Sequence, residues 1–303
     1  MQRHSALTSV PVDRPAPAAV VELLKPITWF APMWAFGCGL VSGGLSLPHQ
    51  AGLALGGIFL AGPLLCGASQ AVNDWFDRHV DAINEPGRPI PSGRIPGRWG
   101  LGIAIATTAL ALVVAAAFGP WVLLPAALGC AFAWAYSAPP LRLKANGWFG
   151  NAAVALSYEG LAWLAGAAVV AGTRPDGRIL TLALLYSLGA HGIMTLNDFK
   201  AVEGDSRMGI RSLPVQLGVA TAARVACAVM LVPQIAIVVL LAAWGRPVPA
   251  LVIMVLTLVQ LALMPRLLAD PKKQAPWYNA SGTSLYVLGM MVSAVAVRSL
   301  VVG

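Results

Sequence analysis

Residues 73–98 read NDWFDRHVDAINEPGRPIPSGRIPGR, and apolar runs too long for a soluble domain flank them on both sides. The stretch holds four of the twelve acidic residues (Asp74, Asp77, Asp81, Glu85) and four of the twenty basic ones (Arg78, Arg88, Arg94, Arg98). Asp74, Asp77 and Asp81 stand at i, i+3 and i+7, so a helix projects them from one face. Three carboxylates along roughly 10 Å of helix repel one another unless cations sit between them. Asn73 adds a neutral oxygen at the edge. Hard oxygen ligands of this kind suit Mg²⁺, which keeps waters and is often completed by a substrate's phosphate oxygens. Pro89 and Pro91 are expected to stop the helix and leave Arg88 in a stiff loop. The plainer alternative is a solvated acidic helix end, but such a helix more often interleaves its charges for i,i+4 pairing.

Working outward, the 303 residues are 58% hydrophobic and only 11% charged. Apolar runs near twenty residues recur, which is the signature of spanning helices. Nine are expected, at about 27–46, 51–72, 99–118, 120–138, 149–171, 179–197, 215–244, 248–268 and 283–302. The expected class is therefore an all-α integral membrane protein, with a tail over 1–26 and one transmembrane domain over 27–303. Fifteen Lys and Arg fall on the N-terminal side of these spans and four on the other, with Arg224 inside the seventh. The positive-inside rule then puts the N-terminus and the Asp74 loop in the cytoplasm. The net charge of +8 is mostly this topology signal, with some attraction to anionic headgroups, and needs no nucleic acid. The first 26 residues lack the apolar core of a signal peptide. Cys38, Cys66, Cys130 and Cys227 are isolated within apolar spans and read as packing residues. Gly52 and Gly56 form a GxxxG pair, which implies close helix packing.

A second polar segment, YSAPPLRLKANGWFGN, ends the fourth span and places Tyr136, Arg142, Lys144 and Asn146 on the side of the acidic loop. Its two cations are suited to a phosphate and equally to anchoring the topology. Glu159 lies well inside an apolar run and is a candidate functional group by default. His191 in the sixth span more simply hydrogen-bonds a neighbouring helix. After that span comes LNDFKAVEGDSRMGIRSLPVQLG, which repeats the spacing of the first stretch. Asn197-Asp198 falls on Asn73-Asp74 and Asp205 on Asp81, while Arg211-Ser-Leu-Pro214 falls on Arg88-Pro-Ile-Pro91 one residue short. Ala201 stands where Asp77 does, with Glu203 nearby. Both stretches follow even-numbered spans, so they share one face of the membrane. The expectation is two pseudo-repeated halves around a central cavity, with carboxylates converging on two Mg²⁺ ions and a diphosphate.

Metal on two carboxylate clusters, helped by Arg88, Lys144 or Arg211, stabilises a departing diphosphate. The rest of such a substrate would lie among apolar helices, which argues for a lipid chain. If that chain is allylic, loss of diphosphate leaves a delocalised cation that aromatic faces in a dry pocket stabilise. The residues thus point to prenyl transfer within the bilayer.

The NDxxDxxxD pattern at Asn73–Asp81 and the RPIPSG run at Arg88–Gly93 resemble the intramembrane prenyltransferases of the UbiA superfamily. That resemblance implies nine helices around a central cavity, capped by two Asp-rich motifs with Mg²⁺ holding a prenyl diphosphate. NDWFDRHVDAINEPGRPIPSG, YSAPPLRLKANGW and NDFKAVEGDSRMGIRSLPV are similar to the chlorophyll-forming branch of that superfamily, most of all its bacteriochlorophyll side. The branch implies esterification of a chlorophyllide or bacteriochlorophyllide propionate with a geranylgeranyl or phytyl group. An ionised propionate needs no strong general base. It also implies an inner, cytoplasmic or photosynthetic, membrane and contacts with pigment-pathway or photosystem-assembly proteins. By this resemblance Asp74, Asp77, Asp81, Asp198 and Asp205 are the catalytic, metal-holding set. Asn73, Arg88, Tyr136, Lys144, Asn197, Lys200, Glu203 and Arg211 are the substrate-binding set. The superfamily's usual DxxxD second motif lacks its first Asp here, leaving open whether Asp198 or Glu203 meets metal. A transferase for a quinone precursor or haem is the nearest rival reading. A two-repeat transporter is the rival from another class, although transporter sites lie near the bilayer midplane rather than at one surface. A pigment scaffold would need more intramembrane ligands than His191.

Overall fold

A computed structural model describes residues 14–47 and 49–301; the first thirteen residues of the tail, Pro48 of the first hairpin and the last two residues, with the end of the ninth expected span, lie outside them. Helices dominate, and the one piece of β structure among the described residues is an isolated bridge between Asn146 and Arg211. Among the described residues eight helices are long and apolar enough to cross a membrane. They comprise α3 (Ala51–Asn84), α4 (Trp99–Ala117), α5 (Pro120–Ser137), α6 (Gly147–Ala171), α7 (Gly177–Asp198), α10 (Val219–Ala243) and α11 (Pro247–Ala269). The eighth is a nearly continuous rod of α12 (Pro271–Ala280) and α13 (Gly282–Val301). The first expected span is a shorter apolar helix, α2 (Phe30–Ser42), entered through a 3₁₀ turn at Pro26–Thr28. Its 13 residues reach about 20 Å, and even with the roughly 6 Å of the turn it stays shorter than the ~30 Å of a bilayer core. Three short α-helices stand beside these among the described residues: α1 (Pro17–Leu23), α8 (Val202–Arg207) and α9 (Leu213–Leu217).

Helix α3 ends sooner than expected. Glu85 leaves helical geometry at φ −139°, because it precedes Pro86, and a residue before proline is pushed out of the α region. Pro89 and Pro91 shape the loop beyond it but do not stop the helix. The closest backbone approach also lies elsewhere than expected. Open space surrounds the position of a side chain at Gly52 and one at Gly56 would stand 3.1 Å from the Phe118 ring, whereas one at Gly39 would stand 2.1 Å from the Trp163 carbonyl and one at Gly166 2.1 Å from that of Phe36. Helices α2 and α6 therefore touch through these glycines, as small residues permit in lipid.

Two helices widen locally. Leu60–Cys66 of α3, around Pro63, and Leu156–Leu161 of α6 are π-helical. Such bulges absorb a residue that disturbs the regular ladder and recur at functional sites. Behind α6 the core is closed by Trp163, whose indole donates to Ser42, stacked on Tyr186, which in turn meets Tyr286 edge-on. All four cysteines are buried and free, as packing residues should be.

Candidate active site

Between α2, α3, α5 and α6 lies a cavity of about 270 Å³. Along α3 its lining is Ala61, Leu65, Cys66, Ser69, Gln70 and Asn73. These residues follow helical spacing on one stripe, which grows polar toward Asn73 and continues through Asp77 and Asp81. Phe132 and Tyr136 contribute from α5, and Ser157 and Tyr158 from the π segment of α6. The Tyr158 hydroxyl meets the amide of Gln70 at 3.0 Å and the Cys66 thiol at 3.4 Å, so the two π segments face each other across the cavity wall. At the far end the lining is apolar: Pro32, Phe36, Pro125, Ala162 and Ala165. Glu159, next to Tyr158, is buried but is not among the lining residues; its Oε2 has no partner. His191 places Nε2 3.2 Å from the Trp148 carbonyl and tilts against that indole, the plain interhelical role expected of it.

At the polar end the first acidic stretch is balanced by protein cations. Asp74, with a side chain 2% exposed, has Oδ1 2.7 Å from Lys25 and 3.3 Å from Arg88. Arg88 also bonds Asp81 at 2.8 Å and Glu85 at 2.6 Å. Lys144 lies 2.5 Å from Asp77, whose other oxygen accepts from Asn73 at 3.0 Å. Burial acts to lower the Arg88 pKa, but the Glu85, Asp74 and Asp81 carboxylates outweigh it and raise it. Burial pushes Lys144 down, only partly offset by Asp77. The repulsion anticipated along α3 is thus relieved by Lys25, Arg88 and Lys144, three cations that converge from three separate segments.

The second stretch is built differently. Helix α7 ends at Asp198, a turn follows, and α8 carries Asp205, so the two acids leave separate elements. Asp198 accepts from the neutral amide of Asn151 at 3.0 Å, and among the described residues neither acid has an ion pair. Burial pushes the Asp205 carboxyl above its ordinary range. Glu203 is exposed and salt-bridged to Lys272, away from the cavity, and that contact holds its carboxyl below the usual range. Asn197 is exposed and accepts from Asn279, and Lys200 is exposed within electrostatic reach of Glu85. Arg211 is tied in by its backbone: its N–H donates to Ala145 at 2.9 Å and its carbonyl accepts from Gly147 at 2.8 Å. Any side chain at Gly147 would stand 2.5 Å from the Leu213 nitrogen, so only glycine allows this seam.

The two stretches meet around Tyr136, whose hydroxyl lies within electrostatic reach of Asp198, Asp77 and Asp205. Asn84 also reaches Met208 across the gap at 3.8 Å. Asp74, Asp77, Asp81, Asn73, Arg88, Tyr136, Lys144, Asp198 and Asp205 therefore gather at one end of the cavity, while Glu203 and Asn197 turn elsewhere. Sequence reasoning passed over Lys25, Asn151, Gln70 and Tyr158. Each is a polar side chain in or beside an apolar run, and that isolation was the available signal.

Among the described residues no three His, Cys, Asp or Glu side chains form a ready-made metal cage. The donor set nonetheless fits a hard divalent cation. Asp74 Oδ2 is buried without a partner, and the Asp198 and Asp205 carboxylates lack counterions. Mg²⁺ in particular takes one or two carboxylates, keeps waters and accepts substrate phosphates instead of demanding an all-protein cage.

A multi-pass helical bundle with an apolar cavity under a rim of carboxylates and cations is the architecture of an intramembrane transferase. Residues 29–290 match the model of the UbiA prenyltransferase family, and the chain belongs to that family. It is 56% identical over 290 residues to the bacteriochlorophyll synthase 33 kDa chain of Cereibacter sphaeroides, covering 96% of each. It is 39% identical to the chloroplastic chlorophyll synthase of Oryza sativa subsp. japonica, covering 91% of this chain and 76% of that one. Among solved structures, the fold matches a digeranylgeranylglyceryl phosphate synthase at a TM-score of 0.74 and 22% identity, covering 92% and 98% of the two chains. A UbiA homolog from Archaeoglobus fulgidus bound to GPP and Mg²⁺ matches at 0.65 and 20% identity, over 93% and 99%.

Proposed function

We propose that this protein esterifies the propionate of bacteriochlorophyllide or chlorophyllide with a geranylgeranyl or phytyl group and releases diphosphate. The reading rests above all on the α3 stripe that joins the apolar cavity to the paired acid and cation rim. It is supported by the 56% identity to a bacteriochlorophyll synthase chain.

The diphosphate is held at the rim by Arg88 and Lys144, beside Asp74, Asp77, Asp81, Asp198 and Asp205. Asn73 orients Asp77, and Tyr136 stands between the two acidic stretches. A divalent cation, Mg²⁺ in this reading, supplies charge neutralisation on the leaving diphosphate when bound. The prenyl chain lies down the cavity toward Phe36 and Ala165. The apolar lining excludes water, and the faces of Phe132, Tyr136 and Tyr158 stabilise positive charge developing at the allylic carbon. The propionate oxygen forms its bond to C1 as the bond from C1 to the diphosphate oxygen breaks. No proton has to be removed, so no general base is assigned.

The N-terminus and the rim are cytoplasmic, in the inner or photosynthetic membrane, as the Lys and Arg asymmetry indicates. That face offers newly made prenyl diphosphate and macrocycle, and assembly proteins that receive the pigment.

Membranes from cells that make no tetrapyrrole pigments, expressing this chain alone, test the reading. With bacteriochlorophyllide a or chlorophyllide a, geranylgeranyl diphosphate and Mg²⁺, esterified pigment is expected, and EDTA should abolish it. Prenylation of an aromatic acid in place of the macrocycle would move the chain to a quinone-type acceptor. Absence of diphosphate release with every acceptor would refute the transferase reading.

A further inference from the structure

Only two non-glycine residues in the described chain have positive φ: Lys25 at 48° and Arg142 at 37°. Each opens a 3₁₀ turn, Pro26–Thr28 and Leu143–Ala145, and each turn presents a lysine to the acidic helix: Lys25 itself to Asp74, and Lys144 to Asp77. A left-handed backbone is disfavoured for a side chain with Cβ and persists where the surrounding structure over-determines it, chiefly at functional sites.

The segment before α2 is held firmly. Arg94, in the loop beyond the acidic helix, makes a forked ion pair with Glu22, and its guanidinium also donates to the Gly87 carbonyl. Leu23 is wholly buried in a cluster with Ala71, Val72 and Ile95. Trp29 donates to the Leu24 carbonyl at 2.8 Å. The α1 segment is thus a strap across the acidic helix, and its one ammonium in the site is that of Lys25. This ammonium shares Asp74 Oδ1 with Arg88, leaving Oδ2 buried and without a partner.

We propose that Lys25 is a substrate-binding residue of the diphosphate site, balancing Asp74 before substrate arrives and donating to a diphosphate oxygen once metal and substrate engage that carboxylate. The proposal rests on the transferase reading above. It gives the ammonium two opposed effects. Before substrate it competes with a cation for Asp74, and with substrate it adds an attraction.

The test uses the full chain in detergent or nanodiscs. Mn²⁺ affinity is read by electron paramagnetic resonance without substrate, and geranylgeranyl diphosphate affinity is read separately with metal present. In Lys25→Met, Mn²⁺ is expected to bind several-fold tighter, while geranylgeranyl diphosphate binds about tenfold weaker, the loss of one charged hydrogen bond. Lys25→Arg should restore most of the diphosphate affinity. Lys25→Gly supplies the folding control: it removes the ammonium as Lys25→Met does but relieves the left-handed strain, so it should melt higher than Lys25→Met and still lose the diphosphate affinity. Parallel loss of metal, diphosphate and melting temperature in both Lys25→Met and Lys25→Gly would make Lys25 a structural tie and overturn the proposal. Affinities unchanged in Lys25→Met, where the wild-type chain binds both ligands, would overturn it alone. A wild-type chain that binds no prenyl diphosphate with metal present would overturn the functional reading and this proposal with it.

Discussion

The two acidic stretches share a spacing in sequence and differ in how their charge is held. In 73–85 one unbroken helix carries Asp74, Asp77 and Asp81, with Glu85 just past its end, and Lys25, Arg88 and Lys144 neutralise them without any ligand. In 197–211 the acids stand on separate helices, Asp198 has a neutral amide for company, and Asp205 has no cation. A buried carboxylate without a counterion raises the free energy of the folded chain, whereas a paired one leaves cations stranded when it is removed. One half of the rim is therefore balanced by the protein's own cations, and in the proposed reading a ligand cation completes the other.

That difference is most severely tested at Asp74. Asp74→Asn should lower prenyl transfer by about a hundred- to a thousandfold, the scale of losing one preorganised electrostatic contact. It should also lower stability by about 2 kcal/mol, less than for a sealed pair because Lys25 and Arg88 stay 23% and 24% exposed. Esterified pigment by chromatography and melting in the absence of metal read the two effects. Normal turnover in this variant would remove the first stretch from the chemistry.

Asp198→Asn is the sharpening case. Activity should fall by about a hundredfold, while metal-free stability rises by up to about 1 kcal/mol, because the amide keeps its neighbour and sheds the uncompensated charge. The same melting experiment decides it: a fall as large as that at Asp74 would mean both halves are equally dependent on their own charge. Metal protection should separate the variants again. Added Mg²⁺ should raise the melting temperature of the wild type and do so far less for Asp198→Asn.

The smallest effect is expected at Glu203→Gln. Its carboxylate is 65% exposed and paired with Lys272, so turnover should stay within about twofold of wild type. A large loss would place Glu203 in the metal set after all.

Much of this architecture was legible beforehand because its causes are local. Long apolar runs demand spanning helices, and i, i+3, i+7 acids demand one face, so α3 and the position of its rim follow directly. What escaped depended on contacts between distant segments. Lys25 counts as one more topology charge until its turn brings it to Asp74, 49 residues away. The repeat predicted equivalent asparagines, yet Asn73 lines the cavity and Asn197 faces Asn279, because the second helix ends at Asp198 and the first runs ten residues past Asp74. Glu203 looked like a substitute for the missing Asp until α8 turned it toward Lys272. The π segments, apart from Pro63, carry no mark in the residues that form them.

The seam between Ala145–Gly147 and Arg211 has a consequence for motion. Two backbone hydrogen bonds and a glycine with no room for Cβ weld the loop bearing Lys144 to the segment that follows Asp205. A backbone shift at Lys144 therefore has to break these bonds or carry the opposite half of the rim with it, so the two halves of the mouth are coupled through their main chains and not only through the charges they share.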